Sequence, residues 1–130
     1  MLFRSDTAPP RPMSILCWNV RGLGNPRAFK RLRKLIRCTS PGMVFLSETR
    51  LFGHRAASFK RRLGFDNVFY VNCEGRSGGL ALLWMDSWQV TVRSSSCSHI
   101  DTNVVSDQGE KIQFTGFYGP PKKKARRHAW

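Results

Sequence analysis

Two short apolar runs separated by one basic amphipathic stretch constrain this 130-residue chain more than any other feature. The first, Ile15-Leu16-Cys17-Trp18-Asn19, ends in an amide and breaks on Gly22 and Gly24. The second, Met43-Val44-Phe45-Leu46-Ser47-Glu48-Thr49, ends in a carboxylate. Between them Asn25-Pro26 is a helix start, an N-cap side chain followed by proline in the first turn. Ala28, Leu32, Leu35 and Ile36 then recur at helical spacing and form the inward face. Strand, helix and strand in that order read as a βαβ unit. If the two strands run parallel, Asn19 and Glu48 emerge at one edge of the sheet, where open α/β sheets place their ligands.

The remaining elements are mostly strands. His54 to Leu63 fits a short helix with Ala57 and Leu63 inward, stopped by Gly64. Asn67 to Asn72 reads as a strand, and Leu80-Ala81-Leu82-Leu83-Trp84, apolar on both faces, as a central one. Further strands are expected over residues 89–94, 98–105 and 111–118, the last with Ile112, Phe114, Gly116 and Tyr118 on one face. One βαβ unit followed by hairpin-connected strands predicts a layered α/β (α+β) domain with a mixed, mostly antiparallel sheet and flanking helices. Residues 1–12, with Pro9, Pro10 and Pro12 and no apolar period, read as a disordered leader to a domain spanning 13–130.

Composition narrows the partner. Hydrophobic residues at 41% and aromatics at 12% support a packed core. Lys and Arg number 22 against 8 Asp and Glu, for a net charge of +14 and a pI near 10.9. Such a balance points to a polyanion, with nucleic acid first. Arg21 after the first strand, Arg27, Lys30 and Lys34 on the helix, and Lys122, Lys123 and Lys124 near the end are the candidate phosphate contacts. For the helix and the terminal segment taken singly, a solvated basic surface is the favoured reading; the summed charge is what points to nucleic acid. No apolar stretch is long enough for a membrane span and no signal peptide is evident, so a nuclear or cytoplasmic protein without membrane contact is expected. Cys17, Cys38, Cys73 and Cys97 are widely spaced, which argues against zinc and against a disulfide partner. Gly22-Leu23-Gly24 invites a dinucleotide-binding reading, but the third glycine position of that fingerprint is Arg27.

Four blocks in order carry a resemblance: Trp18-Asn19-Val20-Arg21-Gly22-Leu23-Gly24, Phe45-Leu46-Ser47-Glu48-Thr49, Arg76-Ser77-Gly78-Gly79-Leu80-Ala81-Leu82-Leu83-Trp84, and Phe114-Thr115-Gly116-Phe117-Tyr118-Gly119. Together they resemble the endonuclease domain of plant LINE-type (non-LTR) retrotransposons, within the DNase I-like endonuclease/exonuclease/phosphatase superfamily. The resemblance implies a four-layer α/β sandwich, present here in part, and hydrolysis of DNA phosphodiesters with Mg²⁺ or Mn²⁺. It implies that Glu48 is the metal ligand, that Asn19 contacts the phosphate or the metal-bound water, and that Tyr118 approaches the phosphate. Gly78-Gly79 becomes architectural, and His99 falls on a non-catalytic strand. The family continues with Gly-Asp-Phe-Asn-like and Ser-Asp-His-like blocks, which this chain lacks. A truncated domain with little activity is therefore expected, its core lacking a facing layer. The alternatives are a basic nucleic-acid-binding remnant without catalysis and a non-functional translated fragment.

Overall fold

The computed structural model describes residues 14–51, 53–72 and 78–119. Strand β1 (Ile15–Asn19) leads through a glycine-containing loop into helix α1 (Pro26–Thr39) and then strand β2 (Met43–Ser47). A 3-10 turn (Gly53–Arg55) precedes helix α2 (Ala56–Leu63). Strands β3 (Asn67–Val71), β4 (Leu80–Trp84), β5 (Gln89–Ser96), β6 (His99–Val105) and β7 (Lys111–Phe117) complete the order. Asn25 caps α1 as its sequence requires, its side-chain oxygen accepting from the Arg27 N–H at 2.9 Å. Ser40 closes the helix in the left-handed conformation and donates its N–H to the Ile36 carbonyl.

Two sheets result. The first has the order β1-β2-β4-β3, with β1 and β2 parallel and the other pairs antiparallel. The second, β5-β6-β7, is antiparallel throughout. The fold is thus α+β, with a mixed sheet between a helical layer and a second sheet. Side-chain alternation along a strand divides the middle sheet between its two neighbours. Val44 and Leu46 of β2, with Ala81 and Leu83 of β4, join Phe29, Leu32, Phe59 and Leu63 of the helices. Met43 and Phe45, with Leu80 and Leu82, join Ile100, Val104, Ile112 and Phe114 of the second sheet. A strand covered on both sides has no polar face, which explains why β2 and β4 read as continuous apolar runs.

Three expectations change. The core does not lack its facing layer, because β5 to β7 cover the far face of the middle sheet. Gly116 makes that approach possible: a Cβ there would enter the Phe45 ring. On α2 the buried residues are Ala56, Phe59 and Leu63, while Ala57 is exposed. The 3-10 turn starts the α-helix at Ala56, two residues later than its sequence suggests, and so changes the inward face. Phe29, absent from the expected inward face of α1, is buried against Phe59, with ring centroids 5.7 Å apart. The leader, Cys73, Arg76-Ser77 and Lys122, Lys123 and Lys124 lie outside the described residues.

Candidate functional site

Parallel pairing sets Asn19 opposite Ser47, so the chain leaves β1 and β2 at the same edge. The pairing continues irregularly beyond the strands. Val20 donates to the Ser47 carbonyl at 3.0 Å, Gly22 to that of Glu48 at 2.7 Å, and Leu23 to that of Thr49 at 2.8 Å. On the other side Thr49 and Arg50 donate to the carbonyls of Gly79 and Gly78 at 3.2 and 2.9 Å. Residues 48–50 are therefore clamped between two neighbouring segments.

The clamp holds backbone that free chains avoid. Arg21, Glu48 and Arg50 each have φ of +53°, beside Gly22 at +98° and Gly79 at +100°. Left-handed backbone at residues other than glycine carries strain, and such strain gathers where surrounding contacts over-determine the geometry, commonly at functional sites. Here it alternates the side chains of the clamped segment. Thr49 turns inward and is fully buried, its hydroxyl 2.6 Å from the Tyr70 hydroxyl, which donates on to the Leu51 carbonyl. Glu48 and Arg50 turn to the open edge.

Glu48 is the centre of the site. Its Oε2 accepts from Asn19 Nδ2 at 3.0 Å and from the Tyr118 hydroxyl at 2.7 Å, and its Oε1 accepts from Arg50 Nη2 at 3.0 Å. The carboxylate can only accept, so the Asn19 amide must present its nitrogen. The Glu48 side chain is 12% exposed. Burial pushes its carboxyl up, but the hydrogen bonds from Tyr118, Asn19 and Arg50, with the Arg50 charge, outweigh burial and hold it below its ordinary value. It is an ionised, oriented acceptor at neutral pH.

Asn19, Glu48 and Tyr118, all expected at the site, are brought together. They come from both sheets, for Tyr118 follows β7 and donates its backbone N–H to Ser98. Arg50 was missed; its only signal is the Glu-x-Arg spacing after an apolar strand. Thr49, Tyr70 and Gly79, which hold the clamp, carried no functional signal. Arg21 is exposed in the loop after β1, and Arg27, Lys30 and Lys34 are exposed on α1. None of these four takes part in the hydrogen bonds to Glu48. His99 bonds Ser94 and Ser96 within its own hairpin. The Gly22-Leu23-Gly24 loop cannot cradle a pyrophosphate, because the N–H groups of Gly22, Leu23 and Asn25 are consumed by backbone carbonyls.

The donor set bears on a metal. Among the described residues no three His, Cys, Asp or Glu side chains form a cluster, and Glu48 is the acid in the hydrogen-bonded group of Asn19, Glu48, Arg50 and Tyr118. A carboxylate has about four lone-pair directions, and three of these are taken. One direction on Oε1 remains. Hard cations such as Mg²⁺ accept one carboxylate when water and a phosphate complete the shell. The residues thus fit a hydrated divalent ion held through one oxygen.

Sequence comparison finds no matching family model and no matching curated protein. Among solved structures, an AP endonuclease from Archaeoglobus fulgidus superimposes with a TM-score of 0.59 at 16% identity, over 84% of this chain and 42% of that one. TDP2 from C. elegans superimposes with a TM-score of 0.51 at 17% identity, over 85% of this chain and 37% of that one. The chain spans less than half the length of either. At such identities the likeness is one of fold, the DNase I-like arrangement of helices and packed sheets. No helix among the described residues is long and apolar enough to cross a membrane, and Cys17, Cys38 and Cys97 are thiols.

Proposed function

We propose, from a fold shared with an AP endonuclease and with TDP2, that this chain carries the carboxylate part of a metal-dependent phosphodiesterase site whose substrate is DNA. The observation that supports this most is the convergence of Asn19, Tyr118 and Arg50 on one nearly buried carboxylate at a strained sheet edge. This carboxylate is met by an amide, a phenol and a guanidinium. The three donors fix its orientation and keep it charged. The quoted sequence blocks add the finer reading that the chain derives from a plant LINE-type endonuclease.

Each residue has a role in that reading. Glu48 would hold Mg²⁺ or Mn²⁺ through Oε1, and the bound ion would supply charge neutralisation at a phosphate oxygen. Asn19 and Tyr118 hold Oε2 so that Oε1 faces outward. Arg50 shares Oε1 and offers its remaining N–H groups to a phosphate, the bidentate geometry guanidinium favours. Hydrolysis also needs a base to take a proton from the attacking water. None of the groups bonded to Glu48 is suited to that task near neutral pH, so cleavage by the chain alone is expected to be at background.

The test separates holding a metal from catalysis. Mn²⁺ binding followed by electron paramagnetic resonance should be present in the wild type and lost in Glu48→Ala. Plasmid nicking with Mg²⁺ should be the same for both proteins. Equal Mn²⁺ binding would sink the metal site, and robust nicking by the wild type alone would show that the chain needs no further base.

A further inference from the structure

The carboxylate edge uses few of the cations in this chain; most of the described ones lie on the helical layer. Helix α1 carries six Lys and Arg residues and no acid. The segment from Gly53 to Leu63 adds Arg55, Arg61 and Arg62 as exposed residues, again without an acid. The ion pairs Arg50–Glu48 and Arg93–Asp101 both lie elsewhere. On α1, Arg27, Lys30, Lys34 and Arg37 recur at intervals of three or four, forming one exposed stripe about 15 Å long. The apolar face of the same helix is spent on the core, so the stripe is what the layer offers to solvent.

Charge alone would be a solvated surface. The seam between the helices adds a built element. Arg62 of α2 reaches across so that its guanidinium carbon stands 4.3 Å from the Phe29 ring centroid of α1 and 4.8 Å from that of Phe59. The guanidinium carbon of Arg55 stands 5.5 Å from the Phe59 ring centroid. Stacking engages the flat face of a guanidinium and leaves its N–H groups on the rim, the geometry that grips a phosphate with two hydrogen bonds. Arg62 is exposed yet already ordered, so a phosphate would bind it with less loss of side-chain freedom than a free arginine demands.

We propose that the outer face of the helical layer, anchored by Arg62 and flanked by the α1 stripe, is a binding surface for the phosphate backbone of double-stranded nucleic acid, separate from the Glu48 edge. The repeated, evenly spaced cations match a polymer with regularly spaced charges. The face also lacks the exposed apolar row that an amphipathic membrane helix inserts. This surface does not depend on the nuclease reading, since it shares no residue with the carboxylate site.

Binding of the full chain to a fluorescent DNA duplex of about 20 base pairs is measured by anisotropy between about 50 and 200 mM KCl. Each phosphate contact contributes about 0.9 to the slope of log affinity against log salt. The triple variant K30Q/K34Q/R62Q should therefore lower the slope by about 2.7. The control R93Q/K111Q, on the second sheet, should leave it unchanged. R62K keeps the charge but not the stacked fork, and should keep the slope while weakening binding severalfold. A duplex RNA that binds with the same slope agrees with a surface that reads phosphates only. Circular dichroism establishes that the variants are folded; if the triple variant is not, K30Q/K34Q, which leaves the aromatic seat alone, should lower the slope by about 1.8. An unchanged slope in a folded variant would overturn the proposal. So would an equal drop in the control, or tighter binding to phosphatidylserine vesicles or to polyglutamate than to the duplex.

Discussion

Gly79→Ala should be among the most damaging single-methyl changes in this protein. Gly79 has φ of +100°, and a Cβ there would enter the Thr49 and Tyr70 hydroxyls. The backbone part of the cost is about 1–2 kcal/mol, the penalty of an L side chain in left-handed space. The steric part follows from what must move. Thr49 is 0% exposed and its hydroxyl lies 2.6 Å from that of Tyr70. Displacing either hydroxyl leaves a buried polar group unsatisfied, which costs about 1–3 kcal/mol. The sum, about 2–5 kcal/mol, is a large share of the about 5–15 kcal/mol that holds a typical domain together. Urea unfolding followed by tryptophan fluorescence reads it out. The same substitution in a T49A/Y70F background removes both obstructing oxygens, so only the backbone part, about 1–2 kcal/mol, should remain. If Gly79→Ala alone fails to fold while the triple variant folds, the coupling is shown as a lower bound. Equal destabilisation in both backgrounds would refute the argument that the two hydroxyls fill the space beside Gly79.

Acid should act on the same edge. Because the Glu48 pKa is lowered in the folded state, its contribution is present above the unfolded value and lost as pH falls through the folded one. Wild type should accordingly lose more stability between about pH 6 and about pH 3 than Glu48→Gln does, and Tyr118→Phe should raise the Glu48 titration seen by carbon NMR. Identical acid profiles for wild type and Glu48→Gln would show that the three donors do not favour the charged form. At the other sheet interface, Gly116→Ala should destabilise by about 1–3 kcal/mol through overpacking against Phe45. Phe45→Leu should recover part of that loss in the same urea assay.

Much of the chain's local structure was legible because it rests on local physics. The Asn25-Pro26 start of α1 is a side-chain cap and a preset φ, both properties of adjacent residues. The boundaries of β4 follow from an apolar run bounded by glycine and by Asp86. The central places of β2 and β4 follow from their lack of a polar face. That Asn19 and Glu48 share an edge follows from parallel pairing, which a helical crossover between two strands imposes. In each case the deciding interactions lie within a few residues or within one supersecondary unit.

What the tertiary structure decided is the site as a chemical object. The meeting of Tyr118 with Glu48 joins residues 70 apart, and no periodicity encodes it; the resemblance suggested a shared role for the two, and only sheet-on-sheet packing creates the contact. Arg50 could not be chosen among 22 cations until the clamp between Gly22–Leu23 and Gly78–Gly79 turned its backbone left-handed and its side chain onto Oε1. The inward face of α2 depended on a 3-10 turn whose phase local propensity does not set. Arg62 became more than one basic residue among many once two helices had placed Phe29 and Phe59 under it. Sequence determined which segments are strands and helices and where their ends carry an amide and a carboxylate. Packing decided what touches that carboxylate, because three-dimensional proximity between distant segments is set by how buried faces fit together.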